Sequence, residues 1–518
     1  MIGWNSFINN QSIKTRFLTT LFVNILKVGL SFLAGIIIAR GLGPAGYGNF
    51  SFLLASFASI ITLLDMGTSS AFYTFLSQKK RSSKFYLYYI AWLGVQFLIA
   101  LFFITVVFPD SWRNKIWLGH EKKLVILAFF ASFMMTKVWQ TATQAGESIR
   151  ATVIVQLHNI ALAGFYLCTI LAMVFLRCLT ITNLFIIIVV EYLLFTFILA
   201  KRLTDNLINL EETEQAELAN IIKEFKIYCT PLVIYSIVSF AYTFADTWLL
   251  QRFGGAIQQG FYSVGLRFSA ICLIATTSML KVFWKEIAEA HAQDNKERLY
   301  YLYTKISRIL CFVTAIGACF LIPFSKEILV FLLGPKYEPG WLCLAIMFLY
   351  PIHQSLGQIN GTYFHATLQT KLLSKLGIIM MMASIPLTYF VLASPSAIIP
   401  GLGLGSVGLA SKMVILNITS VNIFGYFICK SSRWKFNFLY QFKSVILLLI
   451  VSFMGKGFLK WFFHILNISL HPLFLMTLCI PIYILMVGII ICFFPRISGI
   501  ERRELIGLVQ TFRVILHE

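Results

Sequence analysis

The sequence predicts an all-α polytopic membrane protein of about fourteen transmembrane helices, built as two six-helix lobes with two further helices behind them. Three observations predict it. Of the 518 residues, 58% are hydrophobic and only 12% charged, and the mean hydropathy of +0.82 lies far outside the range of soluble globular chains. Apolar runs of about 20 residues, each long enough to cross a hydrocarbon core roughly 30 Å thick, recur from end to end. One glycine-rich pattern occurs twice, 212 residues apart. Because lipid cannot satisfy backbone N–H and C=O groups, Leu-, Ile- and Phe-rich runs inside it must be helices.

Taken in order, spans are expected near 17–39, 50–76, 85–107, 122–145, 151–176, 182–200, 227–250, 260–284, 305–323, 341–363, 370–392, 403–428, 443–463 and 473–493. The first run has no small-x-small cleavage pattern and is expected to stay in place as a span. A formal charge of +21 raises nucleic acid as a partner, but the distribution argues against it. With the N-terminus in the cytoplasm, the inner loops carry more than twice as many lysines and arginines as the outer ones. That bias puts both termini of a multi-pass membrane protein in the cytoplasm. The outer loop 108–123, with Arg113, Lys115, Lys122 and Lys123, runs against the trend. The ten cysteines are scattered with no Cys-x-x-Cys pair, so they read as small buried hydrophobes rather than ligands or disulfides.

The expected organisation is an N-terminal lobe over 1–200, a cytoplasmic linker over 201–226, a second lobe over 227–428, two helices over 429–493 and an amphipathic cytoplasmic tail over 494–518. The linker carries Glu211, Glu212, Glu214 and Glu217 at helical spacing, as a solvated surface helix would. The tail mixes charges with Ile500, Leu505, Leu508, Val509 and Phe512, the pattern of a helix lying in the membrane interface.

The two lobes are inferred from the repeat. Gly41-Leu-Gly-Pro-Ala-Gly-Tyr-Gly48 separates the first two spans, and such a composition predicts a tight hairpin. Arg40-x-x-Gly43-x4-Gly48-x-x-Ser51 recurs as Arg252-x-x-Gly255-x4-Gly260-x-x-Ser263. Six spans is an even number, so the two copies share an orientation and the pseudo-two-fold axis relating them runs along the membrane normal.

Polar stripes give the lobes a chemistry. Thr20, Asn24, Lys27 and Ser31 lie on one face of the first span, and Ser236, Ser239, Thr243 and Asp246 on one face of the seventh. Asn24, Lys27 and Ser31 map onto Ser236, Ser239 and Thr243 at the repeat offset, as facing walls of a central cavity would. Ser51, Ser59, Thr62, Asp65 and Ser69 mark the second span, and Ser263, Arg267, Thr277 and Lys281 the eighth. Lys137 and Lys412 are further intramembrane cations and Glu191 an intramembrane acid. Charges at such depth are costly and suggest function. Near span ends the alternative is snorkelling, and for Ser and Thr it is bonding within the helix; Lys281 fits that account best, while Lys27, Lys137 and Arg267 sit deeper.

A cavity with more cations than acids suits an anionic amphiphile. Lys27, Arg267, Lys137 and Arg40 would neutralise a phosphate or pyrophosphate, with Asn24, Ser31 and Asn360 bonding a polar headgroup. Asp65, Asp246 and Glu191 are candidates for ion coupling to a proton or sodium gradient, unless each pairs with a cation, and Arg252 and Lys281 for a gate or rim. A cationic drug would instead call for acids and aromatic faces. No G-x4-G-K-[ST] or His-Glu-x-x-His motif occurs, and Gly403-x-Gly405-x-x-Gly408 begins a span instead of following a soluble strand. The expectation is therefore a transporter without cofactor, metal or catalytic residues.

Arg40-Gly-Leu-Gly-Pro-Ala-Gly-Tyr-Gly48, Asp246-x5-Arg252-x-x-Gly255, Gly260-x-Tyr262-x4-Arg267 and Gly334-Pro-Lys-Tyr337 together resemble the polysaccharide transporter family. These are the Wzx-type flippases of the multidrug/oligosaccharidyl-lipid/polysaccharide exporter superfamily. The resemblance covers the whole chain and implies a MATE-like fold with alternating access. It implies the movement of undecaprenyl-pyrophosphate-linked oligosaccharide across a bacterial inner membrane. It also implies membrane lipid, a polysaccharide polymerase and a chain-length regulator as partners, and no nucleic acid. Arg40 and Arg267, and with them Lys27, carry over from the family by position; Lys137 matches no family pattern. The alternative is a MATE-like multidrug or metabolite antiporter.

Overall fold

The computed structural model describes residues 13–79, 81–208, 218–468 and 471–499. The four linker glutamates and the tail beyond Gly499 lie outside the described residues, and so do the side chains of Thr20, Thr277 and Lys281. Every regular element described is helical. Among the described residues, twelve helical segments are long and apolar enough to cross a membrane. Two of them, Phe22–Asp65 with 44 residues and Leu218–Leu273 with 56, would each run well past 60 Å at about 1.5 Å per residue.

Both are interrupted by a glycine. Helix α1 (Ile13–Asp65) contains Gly43 at φ 68°, ψ 175°, and helix α10 (Val233–Ser269) contains Gly255 at φ 75°, ψ 178°. This region of backbone space is open to glycine and closed to residues with a Cβ. The expected hairpin of eight residues is thus tighter than its composition suggests: helix resumes at once, with Pro44 supplying a preset φ at the first position after the break. The near-identical dihedrals at Gly43 and Gly255 are the repeat written in backbone geometry.

The chain divides into two compact units, Met1–Gly260 and Phe261–Glu518. In the first, α1 is followed by α2 (Thr68–Gln78), α3 (Ser83–Phe102), α4 (Asp110–Ile116), α5 (Lys122–Phe133), α6 (Trp139–Ser148), α7 (Thr152–Phe175), α8 (Ile181–Ile208) and α9 (Leu218–Cys229). Helix α1 packs along α7 and α5. The loop over 108–123, which runs against the expected charge trend, is a built structure: α4 delivers Trp117, 1% exposed, onto Phe57 at 5.5 Å between ring centroids. The Trp248 indole donates to the Lys115 carbonyl at 3.2 Å. At the other end, Arg81 pairs with Glu224 at 2.9 Å and lies over the Phe85 ring, tying α9 to α3.

In the second unit the end of α10 leads to α11 (Ile274–Ala292), α12 (Lys296–Leu321), α13 (Ser325–Leu333), α14 (Trp341–Met347), α15 (Tyr350–Ala366), α16 (Thr370–Leu392), α17 (Gly405–Ser432), α18 (Leu439–Ile465), α19 (Pro472–Phe493) and α20 (Pro495–Ser498). Its core joins α12, α15, α17 and α18 around Leu310, Leu356, Tyr363, Ile428 and Leu448. The last two long helices belong to this core: the Tyr483 hydroxyl of α19 donates to the Ile316 carbonyl at 3.0 Å. Lys456 of α18 pairs with Glu327 at 2.6 Å.

Candidate functional site

Two breaks in helical geometry position the polar groups of the first unit. The first is at Met66 (φ 44°) and Gly67 (φ 88°), which end α1 and restart the chain as α2. The Asp65 carboxylate then sits at the start of α2, where Oδ1 accepts from the Ser69 N–H at 3.0 Å, the Ser69 hydroxyl at 2.7 Å and the Thr68 hydroxyl at 3.0 Å. A carboxylate is favoured there by the free N–H groups and the dipole of the helix. The second break is a π-helical turn, Met134–Val138, between α5 and α6. Such turns are frequent at functional sites, and this one carries Lys137, 4% exposed. The Lys137 ammonium forms an ion pair with Asp65 and donates to Ser69 Oγ at 3.0 Å, and the Tyr89 hydroxyl also donates to that oxygen at 3.4 Å.

Two sequence candidates of different expected roles, a substrate cation and a coupling acid, are therefore partners of each other. A buried pair of this kind is neutral as a unit.

Lys27 has a different setting. It is half-buried on α1, and its ammonium donates to the neutral amide oxygen of Asn159 on α7 at 3.1 Å, with Glu147 within electrostatic reach. On the same face Ser31 is half-buried and Asn24 exposed. Glu191 on α8 is 2% exposed; one carboxylate oxygen accepts from the Thr169 hydroxyl at 2.6 Å, and the other has no hydrogen-bond partner among the described residues. Asp246 is buried. Several stripe hydroxyls bond within their own helices, Thr62 to the Ala58 carbonyl at 2.9 Å and Thr243 to that of Ser239 at 2.8 Å, as isolated Ser and Thr do in apolar surroundings.

Arg40 and Arg252, at the two repeat turns, are both exposed. Arg252 lies over the Trp248 ring at 5.2 Å, a cation–π contact. In the second unit Arg267 is half-buried and Lys412 is 4% exposed beside Met413. Asn360 is clamped from both ends: its Oδ1 accepts from the Tyr303 hydroxyl at 2.7 Å and its Nδ2 donates to the Val421 carbonyl at 3.0 Å. Asn159 and Thr169 are the polar partners that sequence reasoning missed; each reads as an ordinary span residue until its tertiary neighbour is known. No group of three or more metal-ligating side chains occurs among the described residues.

Residues 14–283 match the model of a family described as polysaccharide biosynthesis protein. No curated protein matches the sequence. Among solved structures, the chain is similar to the lipid II flippase MurJ in an inward closed conformation, with a TM-score of 0.63 and 16% identity over 92% of this chain and 99% of that one. It is also similar to an outward-facing multidrug resistance transporter of the MATE family, with a TM-score of 0.55 and 15% identity over 82% and 97%. A MOP superfamily transporter from Pyrococcus furiosus, described as having a binding pocket of reverse polarity, gives a TM-score of 0.53 and 14% identity over 82% and 97%. The fold is that of flippases and transporters.

Proposed function

The chain belongs to the polysaccharide biosynthesis protein family, and on that premise we propose that it is a flippase. Its substrate in this reading is an oligosaccharide linked to a lipid pyrophosphate of the undecaprenyl type, moved across the membrane by alternating access for surface polysaccharide synthesis. The observation that carries the reading is the contrast between the two deep lysines of the first unit. Lys137 is neutralised by Asp65, whereas the hydrogen-bond acceptor of Lys27 is a neutral amide. A half-buried ammonium held by an amide keeps charge to offer an anionic headgroup. Lys27 is thus proposed to neutralise the pyrophosphate, with Asn24 and Ser31 bonding the headgroup, and Arg267 is proposed as a further substrate cation on the sequence pattern alone. Lys137 moves from substrate contact to a supporting role, holding the junction of α1 and α2.

Dividing the two longest helices at Gly43 and Gly255 turns twelve segments into fourteen passes. That division supports the proposed arrangement of six-helix lobes over 1–200 and 227–428 followed by two more helices; the charge bias of the loops is the reason both termini are proposed to be cytoplasmic. The exposed Arg40 and Arg252 are assigned to the rim. Glu191 is the acid proposed for ion coupling, since Asp65 is paired with Lys137 and one Glu191 oxygen has no hydrogen-bond partner among the described residues. No catalytic step is assigned.

Replacing Lys27 and Arg267 by alanine is expected to abolish surface polysaccharide while membrane levels of the protein stay normal. Undiminished polysaccharide in both variants removes the cationic site. The likeness to MATE transporters keeps one second reading, a multidrug or metabolite antiporter; drug resistance on expression, with no glycan defect on deletion, would favour it.

A further inference from the structure

We propose that Asn159 determines the charge specificity of the Lys27 site: a neutral amide, where a carboxylate would also fit, keeps the site selective for an anionic headgroup. The inference rests on the flippase reading above and names the residue on which its charge preference depends.

Asn159 lies on α7 between Val155 and Leu162, four residues after the one and three before the other, so the three share a helical face. All three are buried, Asn159 at 8% exposure. An amide in such a place is costly unless it is hydrogen-bonded, and an aliphatic side chain carries no such cost. Helix α1 packs along α7, and across that contact the Asn159 Oδ1 accepts from the Lys27 ammonium at 3.1 Å. An ammonium has donors only, so Lys27 fixes which end of the amide faces it.

Two accounts of this bond require different things of Asn159. If the bond only holds α1 against α7, any acceptor serves, and a carboxylate serves better because charge-assisted hydrogen bonds are the stronger ones. Lys137, in the same unit, has that form of partner in Asp65. If the bond instead aims a cation at an anionic ligand, a carboxylate is the wrong acceptor, since it cancels the charge the ligand needs. The amide occupies one of the three ammonium donors and adds no charge. Glu147 on α6 already acts on Lys27 electrostatically, so a carboxylate in place of Asn159 would set a second acid against one cation. Asn159 is thus a positioning residue that acts through Lys27.

The test titrates the purified full-length protein in nanodiscs with farnesyl pyrophosphate and with farnesol, which has the same tail without the charge. Wild type is expected to prefer the pyrophosphate. N159D, nearly isosteric, is expected to bind the pyrophosphate about tenfold more weakly, the order of one hydrogen bond to a charged group. Its farnesol binding is expected to be unchanged and its melting temperature no lower than that of wild type. A purely structural bond does not lose binding while stability is kept. N159A removes the acceptor without adding charge; it is expected to weaken pyrophosphate binding severalfold, with no further effect in a K27M background. That cycle decides the matter if N159D proves unstable. Wild-type affinity in N159D, equal weakening of both ligands, or an N159A effect that persists in K27M overturns the role of Asn159 and leaves the flippase reading in place. A wild type with no preference for the pyrophosphate overturns the cationic site, and the role of Asn159 with it.

Discussion

Gly48 and Gly260 lie against each other's helices in a reciprocal contact. A Cβ built on Gly48 would fall 1.8 Å from the Ala256 carbonyl oxygen, and one built on Gly260 would fall 2.1 Å from the Pro44 carbonyl oxygen. The repeat offset that carries Gly48 onto Gly260 also carries Pro44 onto Ala256, so one contact is the symmetry mate of the other. In each, the glycine hydrogen occupying the Cβ position points at a carbonyl oxygen, a weak Cα–H···O bond of the kind small residues permit between helices in lipid. Self-complementary contacts of this form are the mark of two-fold related elements.

Alanine at either position is expected to force the two helices apart, at a cost of about 1–3 kcal/mol for overpacking a tight contact. The measurement is the melting temperature in detergent together with surface polysaccharide in a complemented deletion strain. G29A is the control, since nothing lies within 4 Å of that position. Unaltered melting in both G48A and G260A would contradict the contact.

The ion pair of Lys137 with Asp65 makes a distinct prediction. Lys137→Met leaves the half-buried Asp65 carboxylate without its cation and is expected to lower stability by about 3 kcal/mol, the low end of the range for a fully buried pair. Combining it with Asp65→Asn removes the charge on both sides and is expected to restore most of that loss, a coupling that a double-mutant cycle reads directly. Additive losses would show that the two groups act independently. If Lys137 contacted substrate, the restored double variant would still fail in transport; a supporting role predicts that it transports.

How much of this was legible in the sequence differs between the two. The turns were, because Gly43 and Gly255 occupy backbone conformations that select glycine, and selection for one residue type leaves a pattern. Their sharpness was not, since composition marks a break in a helix without saying that helix resumes at the next residue. The depth of Lys27 and Lys137 followed from counting along spans. Their difference did not: Asn159 and Asp65 are 132 and 72 residues away respectively, and the π-turn that aims Lys137 has no composition signature.

His120 supplies a pH dependence outside the membrane. It stacks on Phe52 with ring centroids 5.9 Å apart, and burial lowers its pKa from the ordinary value of about 6.5. The folded state therefore binds fewer protons than the unfolded one over the interval below that value. The stability His120 contributes is present above about pH 6.5 and is lost as pH falls through this interval. The wild-type melting temperature is expected to drop more than that of His120→Phe between pH 7 and pH 5. Parallel curves for the two proteins would exclude the effect.

Glu191→Gln tests ion coupling. The amide keeps an acceptor for the Thr169 hydroxyl but abolishes protonation, so folding is expected to be maintained while substrate-linked proton movement in proteoliposomes is lost. Proton movement equal to wild type would remove Glu191 from the coupling mechanism and turn attention to Asp246.

The most direct test of the central claim is translocation itself. The purified protein is reconstituted into liposomes loaded with undecaprenyl-pyrophosphate-linked oligosaccharide, and the fraction reaching the opposite leaflet is read with a membrane-impermeant glycan-modifying enzyme. The account predicts transfer by the wild type and loss of most of it in Lys27→Ala, at equal reconstitution. No transfer by the wild type, or equal transfer by Lys27→Ala, would contradict it.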